Sequence, residues 1–500
     1  MGTTWWGRAG RAGRGYALAS TRTVALTAGG LGLALSVATA AAAGPWQGGV
    51  RSAELGLRHA AADAGAPHRP QPGPEVMADP PPTWQPTQDV LLPASGAVDA
   101  DAPVPTPAAL AAALAPDLAA PALGTVTASV VDVATGRTLY GLDAGTALAP
   151  ASTNKLATAT AALTLLGPEH RFTTRVVRTA PGRIVLVGGG DPTLTASATG
   201  GSDPRSSLVT LADRTAAALK AAGTTTVGLG YDISLFTGTV DDPIGVNDNL
   251  APVQALTTDE GRTDPTSTED APRYADPAAT AAGQFAALLG ARGITVTGAA
   301  NGIDRVTAPA TAVLLAEVGS QPLGEIVEQM LTNSDNDIAE ALGHQVAVAA
   351  GMPATFDGGA AAVRQTLTRL GIRLGSTELY DASGLAGQDA VPADVLTQLL
   401  VLAASPAHPE LRAIVGGLPV AGFTGTLDPD SEGFGSSSGL GVVRAKTGSL
   451  STVNTLAGLV VDRDGRLLAF AFMSNGSGAA ASARSALDSL AGRVAACGCR

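Results

Sequence analysis

The spacing of hydrophobic and polar positions changes several times along the 500 residues, and each change predicts an element. Residues 1–22 carry Arg8, Arg11, Arg14 and Arg22 and no acid, and residues 24–43 are uncharged and rich in Ala, Leu and Gly. A basic head before an apolar run reads as a signal peptide or signal anchor over 1–43, with Ala41, Ala42 and Ala43 suited to cleavage. The charge asymmetry places the remainder of the chain outside the membrane, so membrane contact is expected only through this N-terminal segment. Over 44–107 apolar periodicity fades and prolines accumulate from Pro67 to Pro107, which predicts a disordered linker with an extended backbone.

Alternation at 125–133, a turn at Ala134, Thr135 and Gly136, and a second run over 137–142 predict a β-hairpin. The period then becomes helical: Leu156, Ala159, Leu163 and Leu166 share one face, with Gly167 as the stop. Strand-like runs follow at 175–178 and 183–187, and helical patterns at 208–222 and 277–289. Leu323, Ile326, Val327 and Met330 predict a helix that ends in a polar loop. Strands at 452–461 and 466–473, joined at Asp464 and Gly465, close the pattern.

Composition narrows the function classes. With 45% hydrophobic and 15% charged residues the chain has material for two or three cores, and wholesale disorder is excluded. The net charge of -12 argues against a nucleic-acid partner. Among 31 basic residues only Lys155, Lys220 and Lys446 are lysines. A high-G+C codon bias accounts for the arginines, so each surviving lysine is either chance or chemical need. The chemical reason is that Lys, unlike Arg, can lose its proton when desolvated.

Two of the three lysines fall in motifs. Ser152 and Lys155 are three residues apart where the helix after Pro150 begins, so the amine lies on the same face as the hydroxyl and can activate it as a nucleophile. Ser334, Asp335 and Asn336 follow the helical pattern that begins at Leu323. Lys446, Thr447 and Gly448, with Ser449 after them, lie on or beside a strand. Singly each motif is weak, since Ser152 suits a helix cap and the second motif suits a turn. Together, in this order and on these elements, they resemble the penicillin-recognising serine hydrolases. Residues 187–194, 251–256, 334–342, 381–385, 425–427 and 443–448 narrow the resemblance to the low-molecular-mass class C penicillin-binding proteins, the D-Ala-D-Ala carboxypeptidase/endopeptidase family. The resemblance spans roughly residues 108–490.

The resemblance implies an α+β fold in which an antiparallel sheet, built from the 125–142 hairpin and the strands after Val442, is packed between helices. Residues 108–167 and 305–500 then form a discontinuous catalytic domain, and 168–304 an inserted accessory domain. It implies that Ser152 attacks the penultimate D-Ala carbonyl to form an acyl-enzyme, with Lys155 accepting its proton. Ser334 would relay a proton to the leaving amine, Asn336 would hold Lys155 and the substrate backbone, and Lys446 and Thr447 would bind the terminal carboxylate. Gly448 would let substrate approach the strand, and the amides of Ser152 and Ser449 would form the oxyanion hole. The implied substrates are peptidoglycan stem peptides, with β-lactams as inhibitors, an extracytoplasmic location, and no cofactor or metal. Glu378 and Asp381 do not reproduce the spacing of a dedicated deacylating base, so slow release of a penicilloyl group is expected. Alternatives are a β-lactamase or esterase on the same fold, or a wall-binding scaffold without turnover.

Competing sites are weaker. Ser437 fits a G-x-S-x-G pattern but lies in a Gly/Ser-rich stretch that reads as loop. Gly188, Gly189 and Gly190 lead to Asp191 and Pro192, which suits a strand-end turn better than a phosphate cradle. His344, four residues after Glu340, reads as a packed or surface helical residue. Cys497 and Cys499 can close a small ring or pair between chains, and without a second cysteine cluster they make no zinc site.

Overall fold

The computed structural model describes residues 101–197, 206–267, 270–298 and 302–500. The export segment at 1–43 and the linker as far as residue 100 lie outside the described residues. The last residues of the expected linker do not behave as one. Ala102 and Pro105 are buried, Arg466 donates to the Ala102 carbonyl (3.3 Å), and the Thr106 amide donates to the Cys499 carbonyl (2.7 Å). Prolines kept this stretch extended, but apolar contacts and main-chain partners dock it on the fold. Cys497 and Cys499 are joined in a disulfide, the ring alternative of the two open in the sequence.

The first helix, α1 (Pro107–Leu118), is capped by the Thr106 hydroxyl, with proline at the first turn where a missing N–H costs nothing. The predicted hairpin follows as β1 (Thr125–Asp132) and β2 (Arg137–Leu142). A short strand, β3 (Ala147–Leu148), leads into a 3₁₀ turn at Ala151–Asn154 and then α2 (Lys155–Leu166), which Gly167 ends at φ 83°. Strands β4 (Thr173–Ala180) and β5 (Arg183–Val187), α3 (Leu208–Ala221), β6 (Thr226–Asp232), α4 (Pro277–Ala291), β7 (Thr295–Thr297), β8 (Asp304–Arg305) and β9 (Val313–Gly319) come next. Helices α5 (Leu323–Asn333), α6 (Asn336–Ala350) and α7 (Phe356–Arg369) lead to β10 (Val391–Pro392), α8 (Ala393–Ala404) and α9 (Arg412–Gly417). The chain closes with β11 (Val443–Leu450), β12 (Val453–Val461), β13 (Leu467–Asn475) and α10 (Ala480–Ala495).

The first sheet has the order β11-β12-β13-β1-β2 and is antiparallel throughout, as expected for the catalytic domain. Alternation in β13 divides its residues between two cores. Leu468, Phe470 and Phe472 pack toward Leu110, Leu114, Leu487 and Leu490 of α1 and α10. Ala469, Ala471 and Met473 face the other way, into the core shared with α2 and α5–α8. Small side chains on that second face let α8 approach the sheet closely. Each fully buried Leu or Phe contributes roughly 1.5–3 kcal/mol, so the sheet is held on both faces.

The second sheet, β7-β6-β5-β4-β9 with β8 on β6, is mixed: β4 pairs antiparallel with β5 and β9, and β6 runs parallel to β5, β7 and β8. It has its own core with α3 and α4, centred on Ile184, Leu186, Leu211 and Phe285. Its edge strand β9 lies beyond residue 304, so this sheet reaches further along the chain than the expected insertion. Alternation was the reason: β9 is exposed at Val313 and Leu314, which blurred its period. The chain leaves β5 through Gly188–Gly190, with Gly190 at φ 69°, and turns at Pro192 and Thr193, while Ser437 lies in a loop with a single 3₁₀ turn. Among the described residues no helix is long and apolar enough to cross a membrane.

Candidate active site

The site is built where the start of α2 meets β11. Ser152 lies in the 3₁₀ turn, one step earlier than a helix start would put it, and Ala151 before it has φ 47°. An alanine in the left-handed region is unfavourable, and its persistence beside the nucleophile candidate means that surrounding contacts impose it. Gly384 supplies one such contact, because a Cβ there would stand 3.1 Å from Asn154 Cβ and collide with the Ala151 carbonyl. Gly448 supplies another: its Cβ would lie 2.8 Å from the Pro150 carbonyl and 3.0 Å from the Ser152 amide. Glycine at 448 is therefore required by close packing of β11 against the nucleophile turn, a different reason from the substrate approach expected.

Lys155 is fully buried, and its Nζ meets three oxygens: Ser152 Oγ at 2.8 Å, Asn336 Oδ1 at 2.7 Å and the Ser383 carbonyl at 2.8 Å. Two of these accept only. A neutral amine has two protons for them and a lone pair left for the Ser152 hydroxyl proton. Burial pushes the Lys155 amine down to about 8, against the opposing charges of Asp381, Glu340 and Asp335. The arrangement can therefore hold a base against a hydroxyl near neutral pH.

The second motif is a break of only two residues between helices, shorter than the polar loop expected. Ser334 ends α5 in the left-handed region (φ 60°), and Asp335 caps α6 through the Ile338 amide. Asn336 is thereby fixed at the first position of α6. Its Nδ2 donates to the Asn249 carbonyl at 3.2 Å, so its Oδ1 must face Lys155. Asn249 comes from the segment after β6, and the Ala251 amide beside it is held by Asp337.

Lys446 is also fully buried, on β11, and its Nζ donates to the Thr447 carbonyl at 2.8 Å. Burial, then the charge of Lys155, pushes its amine well below the ordinary lysine value, with Glu432 pulling the other way. Thr447 and Thr426 hydroxyls are 2.8 Å apart, and Ser449 Oγ is buried without a hydrogen-bond partner. Ser152, Ser334, Asn336, Thr426 and Ser449 line one open cleft of about 480 Å³. Thus all three motifs converge, with Lys155 and Lys446 behind the walls.

Four contributors carried no role in the sequence reading: the carbonyls of Asn249 and Ser383, the Thr426 hydroxyl, and Glu340. The 381–385 and 425–427 segments were singled out, but a carbonyl's use depends on tertiary placement that no residue type announces. Arg262 and Arg273 also line the cleft and pair with Glu260, Asp335 and Asp337. Burial and Asp335 push the Asp337 carboxyl up to about 7, against the charge of Arg273. Glu378 is paired with Arg364 at 3.0 Å on an exposed face and does not line the cleft. His344 is packed, not catalytic: it lies between Phe236 and Phe356, with Nδ1 2.8 Å from the Glu340 carbonyl. Two triplets of acids, Asp242, Glu340 and Asp381, and Glu260, Asp335 and Asp337, are the groups of metal-ligating type among the described residues. The second is laced with arginines, which leaves little need for a metal ion.

Comparison with known proteins agrees with this geometry. The D-Ala-D-Ala carboxypeptidase 3 (S13) family profile matches residues 110–272 and 268–495. A carboxypeptidase named DacB from Mycolicibacterium smegmatis is 38% identical over 414 residues, covering 80% of this chain and 87% of its own. A D-alanyl-D-alanine carboxypeptidase from an Actinomadura species is 33% identical over 428 residues, covering 69% and 77%. In fold, the chain is similar to the crystal structure of penicillin binding protein 4 from Haemophilus influenzae, with a TM-score of 0.62 at 23% identity over 77% of this chain and 97% of that one. With the profile spanning residues 110–495 and the three motifs meeting at one cleft, this protein belongs to the D-Ala-D-Ala carboxypeptidase (S13) family of serine peptidases.

Proposed function

We propose that the protein removes the terminal D-Ala from peptidoglycan stem peptides through an acyl-serine intermediate on Ser152. The observation that carries this is the Lys155 amine, buried, poised near neutrality and 2.8 Å from Ser152 Oγ. Lys155 takes the Ser152 proton as the oxygen attacks the penultimate D-Ala carbonyl, and the amides of Ser152 and Ser449 receive the developing oxyanion. Ser334 passes a proton to the departing D-Ala amine, and Asn336 holds both Lys155 and the substrate backbone. The carboxylate of the terminal D-Ala pairs with Lys446 and Thr447, a charge-assisted contact that restores the proton affinity burial has removed from Lys446. Ser449 Oγ, unpartnered in the cleft wall, is free to bind the same group.

The reading extends to penicillin, which mimics the acyl donor, and slow release of the penicilloyl group is supported by Glu378, which is paired with Arg364 and does not line the cleft. It also extends to DD-endopeptidase action, since the cleft is open enough at about 480 Å³ for a branched leaving group. Export through residues 1–43 would bring this chemistry to the wall. Intact mass after incubation with benzylpenicillin tests the core of the proposal. Wild type should gain one penicilloyl mass and Ser152→Ala none, and wild type should release D-Ala from a stem pentapeptide. A folded wild type that neither gains the adduct nor releases D-Ala would overturn it.

A further inference from the structure

Glu340 lies one turn along α6 from Asn336 and is 1% exposed. Its carboxylate does not reach the cleft. Instead Oε1 accepts the Ser383 amide at 2.6 Å and the Ala382 amide at 3.0 Å, and Oε2 lies 3.2 Å from the Ala382 amide. Ser383 is the residue whose carbonyl receives Lys155 Nζ. The opposite side of the same loop is tied to α2, where the Thr158 hydroxyl donates to the Ala382 carbonyl at 2.6 Å. Asp381 closes the loop from within, accepting the Gly384 and Ala386 amides at 2.6 Å each. Both pure acceptors of Lys155 thus hang on the first turns of α6, Asn336 directly and Ser383 through Glu340.

We propose that Glu340 is a positioning residue for the acyl-serine reaction, fixing the Ser383 carbonyl so that the Lys155 lone pair faces Ser152. This rests on the reading of Ser152 and Lys155 given above. Without the Glu340 anchor the Ser383 carbonyl would drift, and Lys155 would have one orienting acceptor in place of two. A misplacement of the order of an ångström at a reacting group costs about 10²-fold in rate.

The charged surroundings bear on how Glu340 does this. Lys155 approaches from α2, Asp381 and Asp389 from the loop after α7, Asp242 from the segment after β6, Asp335 from the cap of α6 and His344 from α6 itself. Asp242 is 5% exposed, and its Oδ2 has no hydrogen-bond partner. Carboxylate oxygens of Asp242, Glu340 and Asp381 lie within 4.8 Å of one another, so three full charges would repel strongly. Burial, with Asp381 and Asp242, pushes the Glu340 carboxyl well above the usual carboxylate range, against the loop amides that favour its charge. A protonated Glu340 keeps Oε1 for both amides, and glutamine reproduces that form: its Oε1 accepts and its amide nitrogen can donate toward the acids.

The test compares benzylpenicillin acylation of wild type, Glu340→Gln, Glu340→Ala and Thr158→Val, by intact mass over time at several drug concentrations and pH values, with folding checked by circular dichroism. Glu340→Ala is expected to slow adduct formation about 10²-fold with little change in the drug concentration at half-saturation, because orientation of the base is lost and the carboxylate anchor is not. Glu340→Gln should retain most of the maximal rate with its pH midpoint in place, since glutamine keeps the acceptor for both amides and carries no charge, as the protonated carboxyl does. Thr158→Val, which loosens the loop without changing charge, should lower the rate and leave the midpoint in place. If Glu340→Ala misfolds, Thr158→Val decides, since an unchanged rate when the Ala382 tie is removed would overturn the inference. A glutamine variant as slow as a folded alanine variant would overturn the inference. So would acylation that rises with added Mg²⁺ or Ca²⁺ and falls with EDTA, which would make the acid cluster a cation site. Wild type that forms no adduct would instead overturn the acyl-serine reading itself.

Discussion

The two buried lysines of the site have the same chemistry and opposite surroundings. Lys155, at the start of α2, meets three fixed oxygens and lies among the acids Asp381, Glu340 and Asp335. Lys446, in the middle of β11, meets one carbonyl and feels the positive charge of Lys155. A saturated amine with its lone pair directed at one hydroxyl is equipped as a base. An undersaturated one beside an open cleft is equipped to receive an anion. Burial is common to both, so partners and not burial separate the two roles.

The sharpest way to break this contrast is to remove each lysine in turn. Lys155→Ala should slow acylation by about 10²–10⁴-fold, the usual contribution of a positioned base, while half-saturation by substrate changes little. Stopped-flow or mass-resolved acylation by benzylpenicillin would show it, and a purely binding effect would erase the distinction. Lys446→Ala should instead raise the KM for a D-Ala-D-Ala peptide by about 10- to 100-fold, corresponding to about 1.5–3 kcal/mol for a hydrogen bond to a charged group. The same variant should be nearly indifferent to a substrate whose C-terminus is amidated.

The pH profile sharpens the comparison from the other side. The Lys155 amine lies at about 8, so acylation should rise with pH toward that value and fall about tenfold per unit below it, as the proton-free fraction falls. Thr426→Ala is the mildest test. It removes the hydroxyl 2.8 Å from Thr447 Oγ1, so KM should rise by only a few-fold, in keeping with about 1 kcal/mol for a neutral hydrogen bond. An effect on the acylation rate at saturation would place Thr426 on the wrong side of the site.

Legibility followed the same division. Lys155 and Lys446 stood out because lysine is scarce in the chain and each sat in a motif, and the strands near Lys446 showed their alternation. Glu340 was read only as a neighbour of His344, because nothing in a helical sequence says which backbone amides its carboxylate will find. The segment from Asp242 to Asn249 is irregular, so its contribution of a carbonyl to Asn336 had no periodic signature. The far edge of the second sheet was missed for a related reason: β9 exposes apolar residues where alternation would have buried them.

By itself the sequence determined the 125–142 hairpin, the helix after Ser152, the two closing strands and the three motifs, because side-chain period and residue type are local properties, while the antiparallel sheet that joins those strands followed from the family resemblance. Tertiary structure decided the rest. It brought Ser152, Asn336 and Ser449, almost 300 residues apart along the chain, to one cleft. It also forced Ala151 into the left-handed region, demanded glycine at 448, and directed the Ser383 carbonyl to Lys155. Those features depend on main-chain atoms, which every residue has, and on close packing, which only the assembled fold creates.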